Sequence, residues 1–371
     1  MGPVLETIKR IDKILLVLPI LFGLMSVFMI SSITASADDP LSQKVVVQIA
    51  AYAVGFVFLA LCLIFDYKIL LRIDRILYGL AILVQCTVYI PGLGEERYGS
   101  RAWVNLGITT VQPSELVKII FVVVMAAWLT RHREDLKTVK GFLIAFLYGI
   151  PIVGIVLIED MGSGIVMAFM LIGLIFAAGL KTGIFLRFAA VLVVLVPVIY
   201  RFLDPYQKER FSAFLHPDDL SIQATYQVYQ AKVAIGSGGL FGKGFREGAI
   251  KVSNLLPVQE SDFIFPIICE EFGLLGGLAV IVLYGVLLGR IWLTVAKATE
   301  LFGALIAVGY MCMFGVQIFE NIGMTMGLMP VTGITLPFLS AGGSSVLANM
   351  IAIGLILGIK FRDSSRKIKY K

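Results

Sequence analysis

The chain has 371 residues, 58% of them hydrophobic and only 15% charged, whereas a soluble globular chain is about 25% charged and 45–50% apolar. That composition excludes a soluble fold and makes the natural unit the membrane span of roughly 20 apolar residues. The formal net charge of +6 is explained by membrane topology without a nucleic-acid partner. The four cysteines (Cys62, Cys86, Cys269 and Cys312) sit in apolar runs without a CxxC pair, which argues against zinc and disulfide frameworks.

Ten apolar runs follow in order, near residues 14–34, 45–65, 76–91, 114–130, 141–158, 162–180, 183–203, 266–292, 302–325 and 342–360. They predict an all-α polytopic membrane protein of about ten transmembrane helices, one domain over 1–371. The third run is short and the fourth carries charges. The first is long and lacks a small-residue cleavage site, so it reads as a span and not a signal peptide. Cytoplasmic loops are rich in Lys and Arg. Alternate segments carry Lys9, Arg10 and Lys13; Lys68, Arg72 and Arg75; Arg131, Arg133, Lys137 and Lys140; Lys181; Arg290 and Lys297; and a tail from Lys360 to Lys371. Both termini are therefore expected in the cytoplasm, and 204–265 forms a large extracytoplasmic loop between the seventh and eighth spans.

Four stretches carry candidate chemistry. In "GSRAWVNLGITTVQPSELVKII" (99–120), Pro113 suits the first turn of a helix, and Glu115 and Lys118 share one face at i, i+3. Ionisable groups entering a span normally face a cavity or one another, so the two form either a local packing pair or a site for a phosphate or carboxylate. Arg101 and Trp103 precede them at interface depth, where a Trp is more often an anchor than a sugar platform. In the outer loop, "YQVYQAKVAIGSGGLFGKGF" (226–245) fails the phosphate-loop pattern, with Ser237 and Gly244 at decisive positions. Two readings remain: an anion cradle with Lys232, Lys243 and Arg246, or a glycine-rich turn.

"ESDFIFPIICEE" (260–271) holds four acids. Pro266 can open the eighth span, which sends Glu270 and Glu271 about one turn inward, where structural pairing is expected. Glu260 reads as a loop charge. Asp262 stands at the membrane rim beside an aromatic run, and a half-dry setting raises a carboxylate's pKa and suits it to general-base work. Last, "FENIGMTMGLMPVTGITLPFLSAGGSS" (319–345) has prolines and glycines at membrane depth. That predicts a broken or re-entrant segment, allowed only where it lines protein or a wet cavity.

Together, "GSRAWVNLG…QPSELVK", "AIGSGGLFGKG", "SDFIFPIICEEFG" and "NIGMTMGLMPVTGITLPFLSAGGSS" resemble the SEDS family (shape, elongation, division and sporulation), most closely its elongation-type RodA branch, over nearly the whole chain. The resemblance implies a peptidoglycan glycosyltransferase of the bacterial cytoplasmic (inner) membrane. Such an enzyme polymerises lipid II on the extracytoplasmic face, beside a class B penicillin-binding protein. It places the family's essential acid on Asp262, its QPSE..K pair on Glu115 and Lys118, and a further acid on Glu271. The family's histidine before the SDF segment is absent, and Ala341 replaces an aromatic. The implied chemistry needs one base, because the diphosphate on the polyprenyl-linked glycan leaves without an acid. Asp262 would deprotonate the acceptor 4-hydroxyl with inversion. Lys118, Arg101, Arg210, Lys243 or Arg246 would stand near the diphosphates, and a divalent cation (Mg or Mn) could assist, although no metal cluster is visible. Competing readings are a lipid-linked precursor flippase, a non-catalytic scaffold for a partner enzyme, and a division-type (FtsW-like) polymerase.

Overall fold

A computed structural model describes residues 11–34, 42–97, 100–105, 107, 110–202, 205–248, 256 and 258–369. Each predicted apolar run is helical. The helices are α1 (Lys13–Thr34), α2 (Gln43–Ile64), α3 (Asp74–Cys86), α4 (Pro113–Arg131), α5 (Val139–Glu159), α6 (Met161–Ala177) and α7 (Thr182–Phe202). After the outer loop come α10 (Ile264–Lys297), α11 (Leu301–Met326) and α12 (Gly343–Lys369). The loop itself is folded, with α8 (Pro205–Leu215) and α9 (Gln223–Ser237). Among the described residues, seven helices (α1, α2, α4, α5, α10, α11 and α12) are long and apolar enough to cross a bilayer, and apolar stretches of α6 and α7 are shorter. The chain is a multi-pass membrane protein. At 13 residues α3 is shorter than its predicted run, because 3-10 helix takes over at Thr87.

Local chemistry sets the ends of α4. Pro113 opens it where no N–H partner is needed, Glu115 lies in the first turn, and Arg131 closes the last, complementing the helix dipole. Tight packing sets its burial: Val117, Phe121, Val122, Val124 and Met125 are inaccessible, at the centre of the bundle. α12 lies along α2 through Gly354 and Gly358, a small-xxx-small pair. A Cβ on Gly354 would stand 2.8 Å from Cys62 Cβ, so a larger residue would force the two helices apart.

The Lys- and Arg-rich segments meet at one end of the bundle. Asp12, whose side chain is inaccessible, accepts from Arg290 at 2.6 Å and also from Lys360. Lys68 pairs with Glu300 at 2.6 Å and Arg131 with Asp74 at 2.7 Å. These bonds tie the start of α1 to α10 and α12, and the α2–α3 connection to α11. The opposite end carries three irregular features: a small antiparallel sheet, a break in α10, and a non-helical segment between α11 and α12.

The sheet has β1 (Gly94–Arg97), β2 (Ser100–Asn105) and β3 (Thr110–Val111), in that order. The break in α10 falls at Gly273, with φ 68° and ψ −164°, a conformation open only to glycine. It abolishes the helical bonds that Leu274 and Leu275 N–H would donate to the carbonyls of Glu270 and Glu271. The glycine segment replaces both. Leu274 N–H donates to Gly239 O (2.8 Å) and Leu275 N–H to Leu240 O (3.3 Å), while Lys243 N–H donates to Glu270 O (3.0 Å) and Gly244 N–H to Glu271 O (3.1 Å). All four freed backbone groups are satisfied, as membrane depth demands. The glycines allow the approach: a Cβ on Gly242 would stand 2.1 Å from Glu271 O.

The segment 327–342 is non-helical and buried over much of 331–340, in agreement with the broken-segment expectation. Side chains from the spans meet its carbonyls: Tyr284 donates to Pro337 O (2.6 Å), Tyr52 to Phe338 O (2.7 Å), Ser26 to Leu339 O (2.8 Å) and Gln48 to Ser340 O (3.1 Å).

Candidate active site

The sheet and the non-helical segment, together with the turn before α10, the α5–α6 junction and the outer-loop helices α8 and α9, surround a cavity of about 780 Å³, lined among others by Asp262, Arg210, Arg101, Trp103, Asp160 and Thr332. Its size falls in the range of about 300–1,000 Å³ typical of small-molecule sites. Asp262 sits two residues before α10, on a turn in which its N–H and that of Ser261 donate to Val258 O at 3.2 Å each. Val258 has φ 56° and Phe338 φ 66°. Left-handed backbone at a β-branched or aromatic residue costs on the order of 1–3 kcal/mol. Both strained residues lie on the two segments that meet here. Ser340 Oγ donates to Ser261 O (2.5 Å) and Ala341 N–H to Glu260 O (2.8 Å). Asn321 Nδ2 clamps the junction from α11, donating to Asp262 O (3.0 Å) and Ile334 O (2.7 Å).

The carboxylate is thus held by its backbone while its oxygens look into the cavity. Burial pushes Asp262 above the ordinary carboxylate range, and the Ser261 hydroxyl (3.0 Å) and the Arg210 guanidinium offset part of that rise. The group is half-accessible by surface yet encircled by protein, as expected at the foot of a cavity. Gly333, with φ +74°, lies between the two charges: a Cβ there would be 3.4 Å from both Asp262 Oδ2 and Arg210 Nη1. A side chain at this position would strain the backbone and wedge into the pair.

Of the residues singled out in the sequence, Asp262, Arg101 and Arg210 line the cavity together. Glu115 and Lys118 do not. They form a 2.8 Å pair with side chains 6% and 1% exposed, one and two turns inward from the cavity-lining Gln112. Lys243 is drawn away by Glu270, at 2.7 Å, and Glu271 accepts from Ser32 at 2.5 Å inside the bundle. Arg246 lies over Phe245 and donates to Ser31 O at 3.3 Å. The anion-cradle reading of the glycine segment loses its donors, since the N–H groups of Lys243 and Gly244 are spent on the α10 break. Glu260 pairs with Lys44.

Among the acids that the sequence reading passed over are Asp160 and Glu320. Asp160 lines the cavity, caps α6 through Ser163 N–H (3.0 Å), and accepts from Gln112 Nε2 (2.6 Å) and Ser114 Oγ (3.0 Å). Its signal was available: an acid wedged between two apolar runs before "MGSG". Glu320 is 2% exposed on α11, in electrostatic reach of Lys118 and Asp160. An acid inside an apolar helix is itself a flag.

The donor set does not fit a resident divalent cation. Among the described residues no three His, Cys, Asp or Glu side chains group as metal ligands, and both oxygens of Asp160 already accept from the protein.

The comparisons agree with this architecture. Residues 9–365 match the family model FtsW/RodA/SpoVE, described as cell cycle protein. A relative from Coxiella burnetii, named probable peptidoglycan glycosyltransferase FtsW, is 36% identical over 297 residues, 78% of each chain. A chain from the solved structure "Structural coordination of polymerization and crosslinking by a peptidoglycan synthase complex" is 28% identical with TM-score 0.81, covering 95% of this chain and 98% of that one. Thermus thermophilus rod shape determining protein RodA is 25% identical with TM-score 0.68, covering 94% and 96%. This chain belongs to the FtsW/RodA/SpoVE family, the SEDS proteins.

Proposed function

We propose that the protein is a peptidoglycan glycosyltransferase that polymerises lipid II, with Asp262 as its general base. The observation that carries this reading is the half-buried Asp262 carboxylate, which lines the cavity within electrostatic reach of Arg210 while Arg101 lines the same cavity. The donor is a glycan strand on a polyprenyl diphosphate, the acceptor the 4-hydroxyl of another lipid II. As that hydroxyl attacks the anomeric carbon from the face opposite the diphosphate, the C–O bond to the diphosphate breaks and Asp262 takes the hydroxyl proton. An α-linked donor then gives a β-linkage. Arg101 and Arg210 hold the departing diphosphate, so no acid catalyst is required. A divalent cation, if one takes part, arrives with the diphosphate, and no step runs through it. The relative's name, and the polymerization and crosslinking ascribed to the similar complex, support the reaction class.

In the same reading the ten helical runs are ten spans, the Lys- and Arg-rich end is cytoplasmic with both termini, and the cavity opens outside. The crosslinking partner is a class B penicillin-binding protein. The FtsW name of the Coxiella burnetii relative favours the division type over the elongation type that the sequence motifs suggested. A carrier would place its functional charges near the bilayer midplane, whereas the cavity charges here come from strand β2, the outer-loop helix α8, the turn before α10 and the α5–α6 junction. Purified protein, alone and with the partner, should convert lipid II into long glycan chains on gels; no chains in either arm would refute the reading.

A pH prediction follows. The base must be ionised, so kcat/KM should fall as pH drops through the Asp262 pKa, at a pH above the ordinary carboxylate range. Arg210 lowers that pKa. Arg210→Gln should therefore move the acid limb of the kcat/KM profile to higher pH, and an unmoved limb would remove Arg210 from the electrostatics of the base.

A further inference from the structure

Trp103 was open to two readings: a membrane-interface anchor or a surface for a sugar ring. Strand geometry decides where its ring goes. Side chains alternate along β2. Ala102 and Val104 are 4% and 6% exposed, whereas Arg101 is exposed and Trp103 half-buried on the opposite strand face; Arg101, Trp103 and the intervening Ala102 all line the cavity that holds Asp262. The half-buried indole borders the chamber that holds Asp262. The strand is fixed in place: β1 and β3 flank it, Trp103 lies opposite Glu95 in register, and Ser100 Oγ donates to the Glu159 carbonyl at the end of α5. Backbone pairing of this kind positions the platform before any ligand arrives, which lowers the ordering cost of binding.

The chemistry selects the ligand. An indole offers a large flat apolar face with one polar edge. A pyranose offers a face of C–H bonds with a rim of hydroxyls, so stacking buries the C–H face while the rim stays available to polar groups. Asp160, Gln112, Thr332 and Arg210 supply such groups around the same chamber. Arg101, two residues away on the same strand face, would take an anionic group next to the stacked ring.

We infer that Trp103 is the stacking platform for an N-acetylated sugar ring of the glycan, with Arg101 beside it for that sugar's diphosphate or carboxylate. This rests on the glycosyltransferase reading above and names the carbohydrate subsite within it. Trp103 is a binding residue: it orients the glycan while Asp262 handles the proton.

The chain has three tryptophans. Trp128 stacks with His132 and Tyr148 at the other end of α4, and Trp292 is 56% exposed far along α10. In full-length protein carrying Trp128→Phe and Trp292→Phe, Trp103 is then the one tryptophan signal. Titration with the free disaccharide of N-acetylglucosamine and N-acetylmuramic acid, which has no lipid and no diphosphate, should change that emission saturably. Trp103→Ala should raise KM for lipid II roughly tenfold, the loss expected on truncating an aromatic anchor, with kcat nearly unchanged, and Trp103→Phe should restore most of it. Flat emission up to the solubility limit of the disaccharide overturns the inference, as does an Ala variant with unchanged KM. If Trp103→Ala fails to fold, the titration still decides. Wild-type protein that polymerises lipid II while the Trp103 signal stays flat removes the platform alone; protein that makes no glycan removes the enzymatic reading, whatever the fluorescence shows.

Discussion

Asp262→Asn should cut lipid II polymerisation by about 10²–10⁴-fold, the usual contribution of a positioned general base, with no loss of thermal stability. The two outcomes separate because of what burial does to this group. Its folded pKa is raised, so near neutral pH the ionised carboxylate is less favourable in the folded chain than in the unfolded one. Removing the charge removes that penalty. Asn keeps an oxygen for the Ser261 hydroxyl, and the clamp from Asn321 acts on the backbone carbonyl, not on the side chain. The melting temperature in detergent should therefore equal or exceed that of the wild type. This is the trade-off expected where a protein tolerates an unfavourable group for function. Full polymerisation by a well-folded Asp262→Asn protein would end the assignment. A variant that is both inactive and much less stable would make Asp262 a structural residue instead.

Lys118→Met should destabilise the protein by about 3–5 kcal/mol, because it leaves the Glu115 carboxylate buried and uncompensated. Glu320 deepens the effect, since Lys118 is in electrostatic reach of that second acid. Glu115→Gln should be milder: Lys118 then still stands opposite Glu320. The double variant Glu115→Gln, Lys118→Met should regain part of the stability lost by Lys118→Met alone, as removing both partners of a buried pair costs less than orphaning one. Thermal unfolding of the four proteins in one detergent checks this as a double-mutant cycle. If the double variant is as unstable as Lys118→Met, the pair is not the source of the stability. If it is stable but cannot polymerise lipid II, Glu115 and Lys118 have a role in the reaction beyond packing.

Much of the fold was legible because its determinants are local. Spans are set by runs of apolar residues, so α1, α2 and α11 could be placed within a few residues, while α10 and α12 run past the apolar stretch at their C-terminal ends. The α4 start followed from Pro113 and Glu115. The break between α11 and α12 followed from prolines and glycines at membrane depth. Asp262 was legible as an isolated acid at a span boundary. The glycine segment left two readings open in the sequence, an anion cradle or a glycine-rich turn, and the fold favours the turn. Its N–H groups and Lys243 serve the α10 break at Gly273, roughly 30 residues downstream, and nothing between 238 and 244 reveals that two helical bonds are missing there. Glu271, where position alone predicted structural pairing and only the resemblance suggested substrate, has a partner inside the protein, as does Arg246, which the implied chemistry had set near the diphosphates.

By itself, then, the sequence determined the membrane class, the helical runs, the alternation of charge that sorts the two ends, and the acid at the rim before α10. Hydropathy and charge are properties of short windows, and a single chain carries them openly. Tertiary structure alone decided which cations face that acid, that Arg101 and Arg210 reach the cavity while Lys118 and Lys243 are held by buried glutamates, and that Trp103 borders the chamber. Those outcomes depend on backbone bonds between segments far apart in the chain and on the low dielectric of the bundle, where a buried charge takes the nearest partner that the packing supplies.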